Sequence, residues 1–254
     1  MKGPPDRPVP LLRSLVLHAE RLERDDIWSR TSTILAALER RGGRATVFVH
    51  PYSAITGGFD LAPRIASLIA RGHEIAQHTH FYAWRPGAQA ESAKPKNDLS
   101  TENIHRVLER DLEYLRGSGA DPRGFTAGGW LQPDPLPGAL DELGFRYDCS
   151  DRTFELRYDD RDPATKGAVH ATSVAGRVVG LPTTDSLANS ARRLGRSGPG
   201  LPIGDTRYEL VYVHDYDLVR ARYHAVARFL LARWRGSWRT AGELAGLVQR
   251  SDRS

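Results

Sequence analysis

Short apolar runs alternate with helical stripes along most of the chain, and this alternation limits the fold more tightly than any other feature of the sequence. Residues 11–17, 45–49, 74–78, 124–127, 145–148, 178–181 and 209–213 each read as a short strand, and several are apolar or β-branched enough to be buried on both faces. Between them, Thr31, Leu35 and Leu38 share a helical face that stops at Gly42-Gly43. Leu61, Ile65, Leu68 and Ile69 do the same before Gly72, and Ile104, Val107, Leu108, Leu112 and Leu115 before Gly117. A short helix covers 138–143, and a long one follows the last strand through Val226, Phe229, Leu230 and Trp234. Strand and helix repeating roughly every 30 residues predict parallel βα units. Six or seven such units favour a barrel over an open sheet, and one barrel accounts for all 254 residues as a single domain. The stretch 151–208, rich in Arg, Asp, Gly and Pro, reads as an irregular insertion, and the polar stretch 83–98 as a long functional loop.

Composition removes several classes of function. With 40% hydrophobic and 26% charged residues the chain is globular, and its one cysteine, Cys149, forms no internal disulfide and reads as a small core residue rather than a nucleophile. The net charge of +5 raises nucleic acid as a partner, but the basic residues are 32 Arg and four Lys, scattered beside acids as in residues 20–26. A solvated surface is the expectation, with no nucleic acid. No segment approaches the roughly 20 apolar residues of a membrane span. The first apolar run, 9–17, carries Arg13 and ends at His18 with no small-residue cleavage site. A cytoplasmic location and an intracellular substrate are expected.

In a barrel of this type chemistry belongs at the C-terminal ends of the strands. Three of those ends are His18-Ala19-Glu20, His78-Thr79-His80 and His214-Asp215. Imidazoles with a carboxylate supply nitrogen and oxygen donors for a divalent metal, and a further histidine supplies a proton donor. His18 and Glu20 are two apart, as are His78 and His80, so each pair shares a face where the strand continues. Tyr82 and Trp84 open the long loop and either stack on a sugar ring or pack the loop down. Trp130, after Gly128-Gly129, reads as a pocket wall. Asp215 is a further candidate for substrate binding, and otherwise steadies His214 or makes a surface contact.

The order of these elements resembles the polysaccharide deacetylases, also called the NodB-homology or carbohydrate esterase 4 group. Arg44-Ala45-Thr46-Val47-Phe48-Val49 is similar to the family's second strand, and Gly72-His73-Glu74-Ile75-Ala76-Gln77-His78-Thr79 to its "G-H-E-I-x-x-H-T" signature. Leu143-Gly144-Phe145-Arg146-Tyr147-Asp148-Cys149-Ser150 resembles "L-G-F-x-Y-D-S-S", and Tyr212-Val213-His214-Asp215 the closing "L-H-D" strand. The segments 123–130 and 238–244 are similar to the third motif and the last helix. The resemblance implies a distorted (β/α)7-type, NodB-like barrel that removes acetyl from an N-acetyl sugar. It also implies a divalent metal, commonly zinc, with a carboxylate base and a histidine acid. By position His78 is a metal ligand and His214 the general acid.

Three positions depart from that pattern. The family's first motif is an Asp pair, whereas Leu17-His18-Ala19-Glu20 is closer to its "D-x-E" variant, with His18 replacing the Asp and Glu20 retained. His18 is then either the base or a ligand. The second metal histidine is expected at Tyr82, and His80 is the nearest substitute. The arginine of the third motif aligns with Thr126. One reading is a rebuilt site, with Glu20, His78 and His80 on the metal and His18 and His214 as base and acid. The other is loss of the metal, leaving a metal-free hydrolase of C–N bonds, a tailoring enzyme on a non-sugar substrate, or a non-catalytic carbohydrate-binding barrel. His and Glu at the strand ends favour a working amide hydrolase acting on an N-acetylated sugar or a small glycosylated metabolite.

Overall fold

The computed structural model describes residues 10–83, 96–154, 170–171, 177–193, 200–203, 205–234 and 236–251. The chain begins with β1 (Leu11–Ala19), α1 (Asp25–Glu39), β2 (Ala45–Val49), α2 (Tyr52–Gly57), α3 (Ala62–Ala70) and β3 (Glu74–Thr79). After these come α4 (Thr101–Gly117), β4 (Gly124–Ala127), α5 (Leu136–Glu142), β5 (Tyr147–Asp148), β6 (His170–Ala171), β7 (Val179–Gly180) and β8 (Asp185–Ser186). The last part holds α6 (Leu187–Arg192), β9 (Leu201–Ile203), β10 (Thr206–His214), α7 (Ala221–Arg233), β11 (Ser237–Trp238) and α8 (Ala241–Ser251). Among the described residues no helix is long and apolar enough to cross a membrane.

Strand β1 lies between β10 and β2, parallel to both, and β3, β4, β5 and β7 continue the sheet in parallel from β2. At the other edge β8 lies parallel to β10. β7 and β8 are successive pairings of one extended segment. The Thr183 N–H donates back to the Asp151 carbonyl (2.8 Å), while the Thr184 N–H donates across to Leu210 (2.9 Å). This segment joins β5 to β10 and curls the sheet into a distorted (β/α)7-type barrel.

Each strand that the sequence predicted has its counterpart in this ring: β2 and β4 keep their predicted bounds, while β10 begins at Thr206 rather than 209 and β5 shrinks to two residues. The stretch 151–208 is less irregular than its composition implied. Its described residues include β7, β8, α6, β9 and the start of β10, and one of its segments completes the barrel. Pro182, Thr183 and Thr184 give that segment neither alternation nor an apolar run, so pattern reading passes over it.

Side-chain alternation explains how the strands position the site. Leu15 and Leu17, Val47 and Val49, and Val211 and Val213 face outward into one core with Leu35 and Leu38 of α1, Ile65 and Leu68 of α3 and Leu230 of α7. The alternate residues Val16, Phe48, Ala76 and Leu210 face inward with Tyr147 and Tyr208. Helix α8 covers the N-terminal end of the barrel through Leu244 and Val248, and its first amides donate to Thr46 Oγ1 (2.7 Å) and Glu74 Oε2 (3.0 Å). Each of these strands thus points every second side chain into the barrel, which is plugged at one end.

Asp148 fixes the junction of β4 and β5. Its Oδ1 accepts from the Ser150 N–H (2.8 Å) and from the Ser150 hydroxyl, which in turn accepts from the Ala127 N–H (2.8 Å). Burial pushes the Asp148 carboxyl up from 3.8 to about 6 against these hydrogen bonds. A carboxyl raised in the folded state favours folding while protonated. Its contribution is complete below about pH 4 and is lost as the pH rises to about 6. The gap in unfolding free energy between wild type and Asp148→Asn is therefore expected to shift in favour of Asn across that window and then level off. Urea unfolding at several pH values measures it, and a gap independent of pH contradicts this account.

Candidate active site

Following the inward-facing residues to the open end of the barrel leads from Val16 to His18, from Ala76 to His78 and from Leu210 to Tyr212 and His214. His18 and His214 are register partners on neighbouring strands, and His78 is paired with Thr126. Glu20 lies just past the end of β1. Its turn is held by Asp215, whose Oδ2 accepts from the Arg21 N–H (2.8 Å) and whose Oδ1 accepts from the Tyr216 N–H (2.7 Å). Burial pushes the Asp215 carboxyl up to about 7 despite those backbone donors. Asp215 therefore joins the turns after β1 and β10 and keeps its side chain out of solvent.

Glu20 Oε1 lies 3.7 Å from Nε2 of each of three histidines, His78, His80 and His214. Burial alone would raise the Glu20 carboxyl, but the His78 and His80 imidazoles hold it far below the usual carboxylate range. His78 donates from Nδ1 to the Thr126 carbonyl (3.0 Å), so Nε2 is the ring nitrogen that faces the carboxylate. The His80 ring stacks on Tyr82, with centroids 5.0 Å apart, and rests on Gly128. A Cβ at Gly128 would come within 2.3 Å of that ring, so only glycine permits this approach. His214 stacks on Tyr216 at 4.8 Å, with Asp217 Oδ2 3.8 Å from its Nδ1. Burial lowers its pKa to about 4.

His18 sits at the centre of the group. Its ring centroid is 5.0 Å from His78, 5.3 Å from both His214 and Tyr212, and 5.8 Å from Trp130. Burial, then His78 and His214, hold its pKa well below the ordinary imidazole value. Trp130 has φ 59, a left-handed conformation that costs a non-glycine residue roughly 1–2 kcal/mol. It is held there by Tyr212, Phe154 and the Arg152 guanidinium 5.2 Å above its ring.

The donor set fits a divalent ion. Glu20, His78 and His80 offer one oxygen and two nitrogens that all lie within 4.8 Å of one another. The 3.7 Å separations approach the roughly 3.3 Å expected between two donors each about 2.0–2.1 Å from one tetrahedral ion. Nε2 of His78 is buried with no hydrogen-bond partner among the described residues, as is Nε2 of His18. Leaving such an atom unsatisfied costs about 1–3 kcal/mol, which a ligand on that atom would offset. His214 reaches the same carboxylate oxygen but falls outside the mutual group of three.

His18, Glu20, His78, His80 and His214 therefore share one site, with Tyr82 and Trp130 at its edges. Trp84 lies outside the described residues. Cys149 is fully buried, and burial raises its thiol well above the usual value, in keeping with a core residue. Sequence reasoning missed His50, Tyr212, Tyr216 and Asp217. His50 was within reach: it directly follows β2 and keeps the inward parity of Phe48.

Residues 22–145 match the family model described as polysaccharide deacetylase. That segment includes His78 and His80 and stops short of the divergent His18-Ala19-Glu20 and of His214. No curated protein matches the chain in sequence. Among solved structures, a protein of the polysaccharide deacetylase type from Mycobacterium smegmatis is 19% identical over 99% of this chain and 94% of its own, with a TM-score of 0.59. The 4-alpha-glucanotransferase of Thermococcus litoralis is 14% identical over 93% of this chain and 38% of its own, with a TM-score of 0.56. A CE4 family pseudoenzyme from Bacillus anthracis is 11% identical over 94% of this chain and 66% of its own, with a TM-score of 0.52. At these identities the likeness is one of fold. The family match goes further for the part it covers: residues 22–145, just under half of the chain, are similar to the polysaccharide deacetylases.

Proposed function

We propose that this protein removes the acetyl group from an N-acetylated sugar or a small glycosylated metabolite, with a divalent ion, zinc by preference, held by Glu20, His78 and His80. The observation that carries this reading is the single carboxylate oxygen of Glu20 facing three imidazole nitrogens at 3.7 Å, at the barrel end where such folds perform chemistry. An ion bound there supplies a Lewis acid for the acetyl carbonyl and lowers the pKa of a water. Three protein donors of this type are the usual complement of a catalytic zinc site, whose fourth position is left for water or substrate.

The remaining residues divide the other tasks. Hydrolysis delivers hydroxyl to the acetyl carbon and a proton to the departing amine. His18, packed against both His78 and His214, is placed to take the proton from water. His214, whose Nε2 also faces the Glu20 carboxylate, is placed to deliver a proton to the amine, and that carboxylate favours its imidazolium against the burial that lowers its pKa to about 4. Trp130 and Tyr82 supply aromatic faces on which a sugar ring stacks. Asp215 acts at one remove, through the backbone of Arg21 beside Glu20.

Acetate release from a panel of N-acetylated sugars tests the reading. At least one sugar should turn over, and His214→Ala should reduce that rate by about 100-fold or more. A His214→Ala rate equal to wild type removes His214 as the acid. A second prediction concerns the ligand set. Gly128→Ala drives a methyl into the His80 ring and is expected to weaken zinc binding by about tenfold or more, measured by competition with a chromogenic chelator. Unchanged affinity in that variant argues against His80 as a ligand.

A further inference from the structure

We infer that His50 is a positioning residue for the metal centre, holding together the two strand ends that supply its three ligands. The inference rests on the ligand set proposed above. β2 lies between β1 and β3 in the barrel, and its ladder ends where Val49 pairs with Ala19 on one side and Gln77 on the other. The ligands all lie beyond those last pairs: Glu20 one residue past Ala19, and His78 and His80 one and three residues past Gln77.

His50 continues the connection on both sides. Its backbone N–H donates to the Ala19 carbonyl (2.9 Å), next to Glu20. Successive amides of a strand point to opposite sides, so the amide of residue 51 is the one that would face β3. Residue 51 is a proline and has no N–H to give. The His50 side chain takes its place: Nδ1 lies 3.1 Å from the His78 carbonyl oxygen and donates to it. One residue thus ties Ala19 with its main chain and His78 with its side chain.

The surroundings hold the imidazole in that role. Its ring is nearly parallel to Tyr52, at 7° and 5.8 Å between centroids, and sits 4.9 Å from His80 and 5.6 Å from His78. The side chain is only 6% exposed, so substrate does not reach it. Behind it Asp111 Oδ2 accepts from Thr79 Oγ1 (2.8 Å) and lies 4.0 Å from His50 Nδ1, so the residue between the two ligand histidines is anchored as well. What His50 contributes is therefore a donor at a fixed point, and a shorter amide can reproduce it.

Cobalt(II) titration of the full chain, followed by visible absorption, separates this role from plain packing. His50→Asn keeps a donor near the Nδ1 position and is expected to bind cobalt within about threefold of wild type, with the same absorption bands. His50→Phe keeps a ring but loses the donor, and should bind about tenfold or more weakly with altered band intensity, the size of effect typical of residues that orient metal ligands. His50→Gln, which displaces the donor by one methylene, should weaken binding similarly and replaces the Phe variant if that one does not fold. Equal affinity in wild type, Phe and Gln variants overturns the inference. Equal losses in Asn and Phe overturn the donor role. A wild type that takes up no cobalt overturns the ligand set itself, and the inference with it.

Discussion

Glu20 presents one carboxylate oxygen to three imidazole nitrogens at the same distance, and much of the surrounding structure serves to hold that meeting in place. A glutamate and several histidines taken out of water are unfavourable unless each donor atom finds a partner. The backbone supplies those partners on one side of the rings: Thr126 for His78, and His78 itself for His50. Asp215 joins the turns that carry Glu20 and His214. On the other side of the rings, nitrogens of His18, His50 and His78 remain unsatisfied among the described residues. The arrangement resembles a lock built from behind, with its open face toward the mouth of the barrel.

The departures from the family pattern form a connected set in this arrangement. His18, where the family has an aspartate, packs in the centre of the histidines and contacts Trp130 and Tyr212. Tyr82, where the resemblance places a second metal histidine, stacks on His80, whose Nε2 lies 3.7 Å from the carboxylate. Thr126, where the family has an arginine, contributes its carbonyl to His78. Gly128 makes room for the displaced His80 ring, and Pro51 leaves the carbonyl that His50 fills. That the same fold also serves a glucanotransferase and a pseudoenzyme makes the donor atoms, rather than the barrel, the argument for chemistry.

Much of this was legible in the sequence because parallel strands are buried on both faces and announce themselves as apolar runs. Residues 11–17, 45–49 and 209–213 are of that kind, and counting in twos from Val16 or Leu210 reaches His18 and His214. The same count from Phe48 reaches His50, but the proline that follows ends the strand pattern there and hides the residue. The segment around Pro182-Thr183-Thr184 was hidden for another reason: its pairing changes from one neighbour to the other within two residues, so no run of either period develops. Asp215 looked available for substrate by its place after His214. Its carboxylate is taken up by backbone amides, one of them from a turn nearly two hundred residues away in sequence, which no local pattern reveals.

The central claim is that Glu20, His78 and His80 together hold one divalent ion. Its most direct test is the metal content of protein purified without a metal-affinity tag, determined by mass spectrometry and compared among wild type, Glu20→Gln and His78→Ala. The account predicts close to one equivalent of zinc or a similar divalent ion in the wild type and almost none in either variant, with all three folded. A folded wild type that holds no ion even after incubation with zinc, or variants that retain a full equivalent, would contradict it.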